Sequence, residues 1–280
     1  MAQARVPRRL RAVPLAPGLE EIGGYLVAEI GKWVGVVRGA NIRIDWPTSR
    51  RNREMTVGLR IAERQPRVDA ALVARAAMLP AANIGDVMNR MQAMRGGFRP
   101  YGGRRTFAGP ALTVRARPGD NLFMHRAADL AQPGDVIACD GGGDLSVAVM
   151  GDLMASHAVK RRVGACVVDG AVRDVAALAG LDLGVWARGA TPAGPYKGGP
   201  GEIGFPIACG GLVVMPGDLI AADEGGVVVI PLADAEAVVA AAEAHAAKEA
   251  EAASAIAAAR WDRAWVEQTL AAKGCAVATR

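Results

Sequence analysis

The tripeptide Pro-Gly-Asp occurs at Pro118, Pro133 and Pro216, and it limits where regular structure can run. Proline presets one backbone angle and glycine supplies the angle that closes a tight turn, so each copy marks a reversal between elements. The second and third copies lead straight into apolar, strand-like runs, 136–139 and 219–222. Similar runs at 111–116, 165–168, 185–187, 207–215 and 227–230 add further short strands. Helical periodicity is confined to a few places: 68–79, stopped by Pro80; a short helix after it capped by Asn83 or Asp86; a stretch from the turn at Gly141-Gly142-Gly143 to about Arg162; and an Ala-rich run 233–260 that 261–272 continues. Many short strands with few helices between them predict a layered α/β domain with a mixed sheet, not a regular doubly wound one.

Length and charge narrow the function classes. At 280 residues and 51% hydrophobic, the chain can bury one sizeable core. No run reaches the roughly 18 apolar residues of a membrane span. The formal net charge of +5 sits entirely in residues 1–54, and the remaining residues carry equal numbers of acids and bases. The body therefore has no net field to draw a nucleic acid, and none is expected as a partner. Pro14, Pro17, Glu20 and Glu21 break any apolar stretch that would make the start a secretory signal, so a cytoplasmic location is expected.

The organisation expected is a basic N-terminal extension at 1–54, a main α/β domain at 55–232 and a C-terminal helical segment at 233–280 that packs on the domain or on a neighbouring subunit. The extension reads either as an arm against a neighbour or as a segment upstream of a start at Met55. In both cases it stands outside the chemistry.

The chemistry-bearing signal is Gly151-Asp152-Leu153-Met154-Ala155, followed after twenty residues by Gly170-Ala171-Val172-Arg173-Asp174. An acid and an Arg-Asp pair at the two ends of one helix-plus-strand unit can converge on one pocket. Two carboxylates and a guanidinium among Ala, Val and Gly suggest a hard-cation site with an oxyanion clamp. His125, His157 and His245 are not at ligand spacing, and Cys139, Cys166, Cys209 and Cys275 form no C-x-x-C pair, so any metal should be held through oxygen.

From Val68 to Lys248 the chain resembles the 4-hydroxy-4-methyl-2-oxoglutarate/4-carboxy-4-hydroxy-2-oxoadipate aldolases and their relatives, the regulators of ribonuclease E activity. The likeness is carried by Gly109-Pro110-Ala111-Leu112-Thr113-Val114, Pro133-Gly134-Asp135-Val136-Ile137, Asp140-Gly141-Gly142-Gly143, Asp152-x20-Arg173-Asp174, Pro216-Gly217-Asp218 and the run from Asp223 to Pro231. The resemblance implies a layered β/β/α domain with a mixed sheet and a long C-terminal helix. It implies that Asp174 ligates a divalent cation, Mg²⁺ or Mn²⁺, that Asp152 reaches it through a water, and that Arg173 points at a 2-oxo acid substrate. Backbone amides of Gly151, Asp152, Leu153 and Met154 would receive the substrate carboxylate, which also suits a helix start. An acid from a neighbouring subunit, with Glu249 chosen over Glu243 and Glu251, would complete the site in a homotrimer or a hexamer built as a dimer of trimers. The implied reaction is retro-aldol release of pyruvate, with oxaloacetate decarboxylation beside it. The regulators tend to lose the Arg-Asp pair, which this chain keeps, so a non-catalytic regulator of an RNA-processing enzyme is the alternative. The same enolate chemistry on another 2-oxo acid is a third reading.

Other residues carry plainer expectations. Asp152 alone suits an exposed helix start, and Asp174 alone the N-cap of a helix from Val175. The glycine turn at 141–143 lacks a following Lys-Ser/Thr, so it is a tight turn and not a nucleotide or methyl-donor loop. His125 reads as a packing or surface histidine and Lys197 as a solvated loop lysine able to reach a distal carboxylate. Arg188 is ambiguous in the same way, while Trp261 and Trp265 should pack on the body or a partner chain.

Overall fold

The computed structural model describes residues 56–62 and 65–276. Contacts divide the chain into Met1–Arg53 and Glu54–Arg280, and all described residues belong to the second part; the basic segment 1–54 lies outside them.

Among the described residues there are twelve strands: β1 (Leu59–Ile61), β2 (Arg99–Pro100), β3 (Phe107–Ala116), β4 (Val136–Asp140), β5 (Ala148–Met150), β6 (Ala165–Val172), β7 (Gly184–Ala190), β8 (Gly201–Ile203), β9 (Ile207–Cys209), β10 (Leu212–Val214), β11 (Leu219–Asp223) and β12 (Gly226–Ile230). The helices are α1 (Ala70–Ala76), α2 (Ala81–Val87), α3 (Leu122–Leu130), α4 (Asp152–Lys160), α5 (Val175–Ala179), α6 (Ala235–Ala257) and α7 (Ala264–Ala272). The sheet is mixed, in the order β1-β8-β3-β4-β6-β7-β2. Its centre, β3-β4-β6-β7, is parallel, whereas β8 and β11 run antiparallel to β3 and β2 antiparallel to β7.

Alternation along the central strands builds the layers. Ile137 and Cys139, Cys166 and Val168, and Val185 and Ala187 face the core shared with α3, α4 and α5. Val136 and Ala138, Ala165 and Val167, and Trp186 face the opposite way, onto Ile220, Ala222, Val227 and Val229 of the β11–β12 hairpin. The hairpin's other face, Leu219, Ala221, Val228 and Ile230, packs on α1, α2 and α6. The expected β/β/α layering is thus present, with a second set of helices on the far side. Trp186 is fully buried, stands edge-on to Phe107 at 5.0 Å, and donates its Nε1–H to the Asp223 carbonyl at 3.1 Å.

All three Pro-Gly-Asp turns have glycine in the left-handed region and a buried aspartate. Each carboxylate accepts a local amide, from Leu122 at 2.9 Å, Gln132 at 2.8 Å and Met215 at 2.8 Å. Burial raises the Asp135 and Asp218 carboxyls above the usual range, against the pull of those amides.

Several expectations are corrected. Neither Asn83 nor Asp86 caps α2; both lie inside it, and Asp223 Oδ2 accepts its first amide, Ala81 N–H, at 2.9 Å. The helix drawn from the 141–143 turn begins only at Asp152, because Ala148–Met150 pairs with β6 as β5. The 207–215 run is two strands, broken where Gly210 and Gly211 turn the chain with positive φ. The final helix is separate from α6, and none of its residues is buried. Trp261 and Trp265, expected to pack on the body or a partner chain, are both exposed in the single chain. Among the described residues no helix is long and apolar enough to cross a membrane.

Candidate active site

Parallel pairing brings the two halves of the motif together. β5 lies beside β6, with Ala148 opposite Ala171 and Met150 opposite Val172, and the Arg173 amide donates to the Met150 carbonyl at 2.9 Å. The residues leaving these strands, Gly151-Asp152 and Arg173-Asp174, therefore emerge side by side. In α/β sheets this carboxyl end is where ligands bind.

Asp174 sits at φ 58° and ψ 41°, a left-handed conformation that costs a non-glycine residue on the order of 1 kcal/mol and that Asp tolerates better than most. It occupies the N-cap position of α5 but makes no side-chain cap bond there. Its Oδ2 instead turns to the start of α4, accepting from the Asp152 amide at 3.3 Å and lying 3.3 Å from Arg173 Nε. Asp152 accepts the Leu153 amide at 2.7 Å. The terminal nitrogens of Arg173 take no acceptor among the described residues. The strained backbone thus presents a carboxylate that the fold itself leaves loosely held.

A cleft of about 180 Å³ opens beside this group, lined by Asn121, His125, Gly151, Asp152, Leu153, Met154, Arg173, Gly194, Pro195 and Lys197. All the substrate-side residues expected from the sequence are here; Asp174 instead lines a second hollow of about 320 Å³, shared with Arg173, Val175, Ala190, Thr191 and Pro192. Sequence reasoning passed over Asn121 and set His125 aside. Asn121 lines the cleft, is buried to 5% exposure, and its Oδ1, an acceptor, has no hydrogen-bond partner among the described residues. Burial lowers the His125 pKa below its ordinary 6.5, and the nearby Lys197 ammonium lowers it further, with Asp129 pulling the other way. The only prior signal for Asn121 was its place directly after the first Pro-Gly-Asp. The carboxylate of that turn, Asp120, accepts the Gly198 and Gly199 amides at 2.6 and 2.9 Å and so ties down the loop bearing Lys197.

The donor set fits a hard cation held sparingly. Asp152 and Asp174 offer carboxylate oxygens, and among the described residues no three His, Cys, Asp or Glu side chains form a closed metal cluster. One or two carboxylates, with water and substrate supplying the rest, is the usual Mg²⁺ or Mn²⁺ arrangement. Glu249 is placed elsewhere in its own chain: its Oε2 accepts from Asn83 Nδ2 at 2.7 Å and its Oε1 lies 3.5 Å from His245 Nε2. Of the other acids on that helix, Glu243 is clasped by Arg75 at 2.9 and 2.8 Å.

Two further motifs are spent on the fold. Arg188 is paired with Asp169 and lies over the Phe98 ring. A side chain at Gly141 would stand 2.8 Å from the Asp169 carbonyl, so the glycine turn closes against β6. The larger cavity of about 660 Å³ between α2 and the β11–β12 turn contains neither Asp152 nor Arg173. Its Asp86 pairs with Arg90 at 2.9 Å, whereas the smaller cleft holds both Asp152 and Arg173 of the motif and is the chemical candidate.

The family model described as "RraA-like: Aldolase/RraA" matches residues 81–229, slightly more than half the chain. A protein of Halalkalibacterium halodurans described as a putative 4-hydroxy-4-methyl-2-oxoglutarate aldolase is 39% identical over 153 residues, 55% of this chain and 73% of that one. The structure of an RNA-processing inhibitor, RraA, from Thermus thermophilis aligns with a TM-score of 0.51 at 34% identity, covering 54% of this chain and 91% of that one. A Geobacillus kaustophilus structure described as an S-adenosylmethionine:2-dimethylmenaquinone methyltransferase aligns at 0.52 and 33% identity, covering 55% and 95%.

Proposed function

The chain belongs to the RraA-like Aldolase/RraA family, and we propose that within it this protein is a divalent-metal-dependent pyruvate aldolase. The substrate is a 4-hydroxy-2-oxo acid with a further carboxylate, of the type of 4-hydroxy-4-methyl-2-oxoglutarate or 4-carboxy-4-hydroxy-2-oxoadipate. The observation that carries this reading is the Arg173-Asp174 pair set beside Asp152 at a helix start, where Asp152 and Arg173 line a cleft with the buried, unpartnered Asn121 Oδ1.

Asp174, with Asp152 acting through a water, would hold Mg²⁺ or Mn²⁺, which when bound would supply Lewis-acid stabilisation of charge on the 2-oxo acid. The chain's own groups do the rest. The first amides of α4, from Asp152 to Met154, take the substrate carboxylate at the positive end of the helix. Arg173 lies over the keto oxygen, where negative charge grows as the C3–C4 bond breaks and its electron pair becomes the pyruvate enolate. Asp152 accepts the 4-hydroxyl proton through a water, the C4–O group becomes the carbonyl of the second product as the C3–C4 bond breaks, and the proton returns through that water to C3 to give pyruvate. Lys197 and the neutral His125 hold the distal carboxylate. Loss of CO₂ from oxaloacetate generates the same enolate, so decarboxylation accompanies aldol cleavage. Glu249 of a neighbouring copy completes the site in a trimer or a dimer of trimers.

A second reading, a non-catalytic regulator of an RNA-processing enzyme, is favoured by the likeness to the Thermus inhibitor. Retention of the Arg173-Asp174 pair favours the enzyme. A methyltransferase has less support, because the glycine turn at 141–143 is closed against the sheet. Pyruvate release from 4-hydroxy-4-methyl-2-oxoglutarate and from oxaloacetate, assayed with Mg²⁺, with Mn²⁺ and with chelator, tests the proposal. Metal-dependent release from either compound supports it, and its absence from a folded, metal-binding protein would turn the reading to another 2-oxo acid. No metal binding would favour the regulator.

A further inference from the structure

Arg173 is gripped by two glycines, one on each side. A Cβ at Gly151 would stand 2.5 Å from Asp174 Oδ2, 2.9 Å from Arg173 Cγ and 3.0 Å from its Nε, so the arginine stem and the carboxylate beside it can cross the start of α4 only because that position has no side chain. A Cβ at Gly194 would stand 2.8 Å from Arg173 Nη1, and the only other atom within 4 Å is Arg173 Cζ. Gly194 is exposed, and its backbone lies outside the left-handed region, so neither packing nor backbone strain demands glycine there. The loop that carries it is fixed. The Ala148 amide donates to the Ala193 carbonyl at 2.9 Å, the Tyr196 amide to the Gly119 carbonyl at 2.8 Å, and the Asn121 amide to the Tyr196 carbonyl at 3.0 Å. Asp120 holds the next turn through Gly198 and Gly199.

We infer that Gly194 is a positioning residue, and that with Gly151 it forms a slot setting how far the Arg173 guanidinium reaches into the cleft. An added methyl at 194 meets a loop tied at both ends on one side and the free end of a flexible side chain on the other. The guanidinium moves and the loop stays. For an oxyanion stabiliser, displacement on the order of 1 Å costs about a hundredfold in rate. The inference rests on the aldolase reading for its kinetic consequence, though not for its geometry.

Gly194→Ala is compared with wild type, Arg173→Ala and the double variant for metal-dependent pyruvate release and for melting temperature. The expected result is a tenfold to hundredfold fall in kcat for Gly194→Ala, with little change in KM or melting temperature, and no further loss when it is added to Arg173→Ala. Equal losses on both backgrounds, or wild-type kcat in the single variant, overturn the inference. A crystal structure of Gly194→Ala separates this from failure of the reaction assignment. A displaced guanidinium over an unmoved 193–197 loop upholds the slot even if no compound is turned over, and a moved loop under an unmoved guanidinium refutes it.

Discussion

Two arginine–aspartate pairs involve β6 or the residues just after it, and they are used in opposite ways. Asp169 gives one oxygen to Arg188 and the other to the Gly210 amide at 2.6 Å, with side-chain exposures of 10% for the acid and 23% for the arginine. Asp174 and Arg173 are each 38% exposed, touch at 3.3 Å, and leave most of their hydrogen-bonding capacity unspent. A saturated pair can only hold strands and loops together. A pair kept half-open on a left-handed backbone, at the carboxyl end of the sheet, retains capacity for a ligand.

The contrast predicts a crossed result. Asp174→Asn keeps the left-handed backbone, which Asn also tolerates, but weakens the anionic ligand, so metal-dependent turnover should fall by about a thousandfold while the melting temperature stays within about 1 °C. Asp169→Asn should do the reverse. Leaving Arg188 unpaired costs about 2–3 kcal/mol, less than the roughly 3–5 kcal/mol of a fully buried pair because the arginine keeps some solvent, and lowers the melting temperature by roughly 5–10 °C. Thermal unfolding and a pyruvate assay on both variants read the two effects together. A large loss of stability in Asp174→Asn would erase the distinction.

The smallest effect concerns His125. Its folded pKa is lowered, so it resists protonation in the native state, and its contribution to stability is complete above the ordinary 6.5 and lost as pH falls below it. Lys197→Met removes one cause of the lowering, so an NMR titration should show the His125 pKa rising while remaining below 6.5, since burial persists. An unchanged value would separate Lys197 from the cleft.

What was legible in the sequence, and what was not, follows from the range of the interactions. The strands and turns were visible because Pro-Gly-Asp and apolar alternation are local signals, as in β4 and β11. Short strands such as β1 and β8 were missed because they are defined by pairing with each other and with β3, which no local pattern encodes. α2 takes its cap from Asp223, 142 positions away, so no sequence window around Asn83 could have found it. At the site, the aspartates and Arg173 were legible through their spacing. Asn121 and His125 were not, since their relevance depends on α3 and the 191–200 loop meeting α4 in space. Arg188 and Lys197 looked alike in sequence, and only burial against Asp169 separated them.

The most direct test of the half-open pair is the rate of pyruvate formation by Arg173→Ala, measured beside wild type with saturating Mg²⁺ or Mn²⁺ and with melting curves on the same samples. Removing one stabiliser of the developing oxyanion should lower the rate at least about a hundredfold with the melting temperature unchanged. Wild-type rates in Arg173→Ala, from a protein that melts normally, would contradict the account.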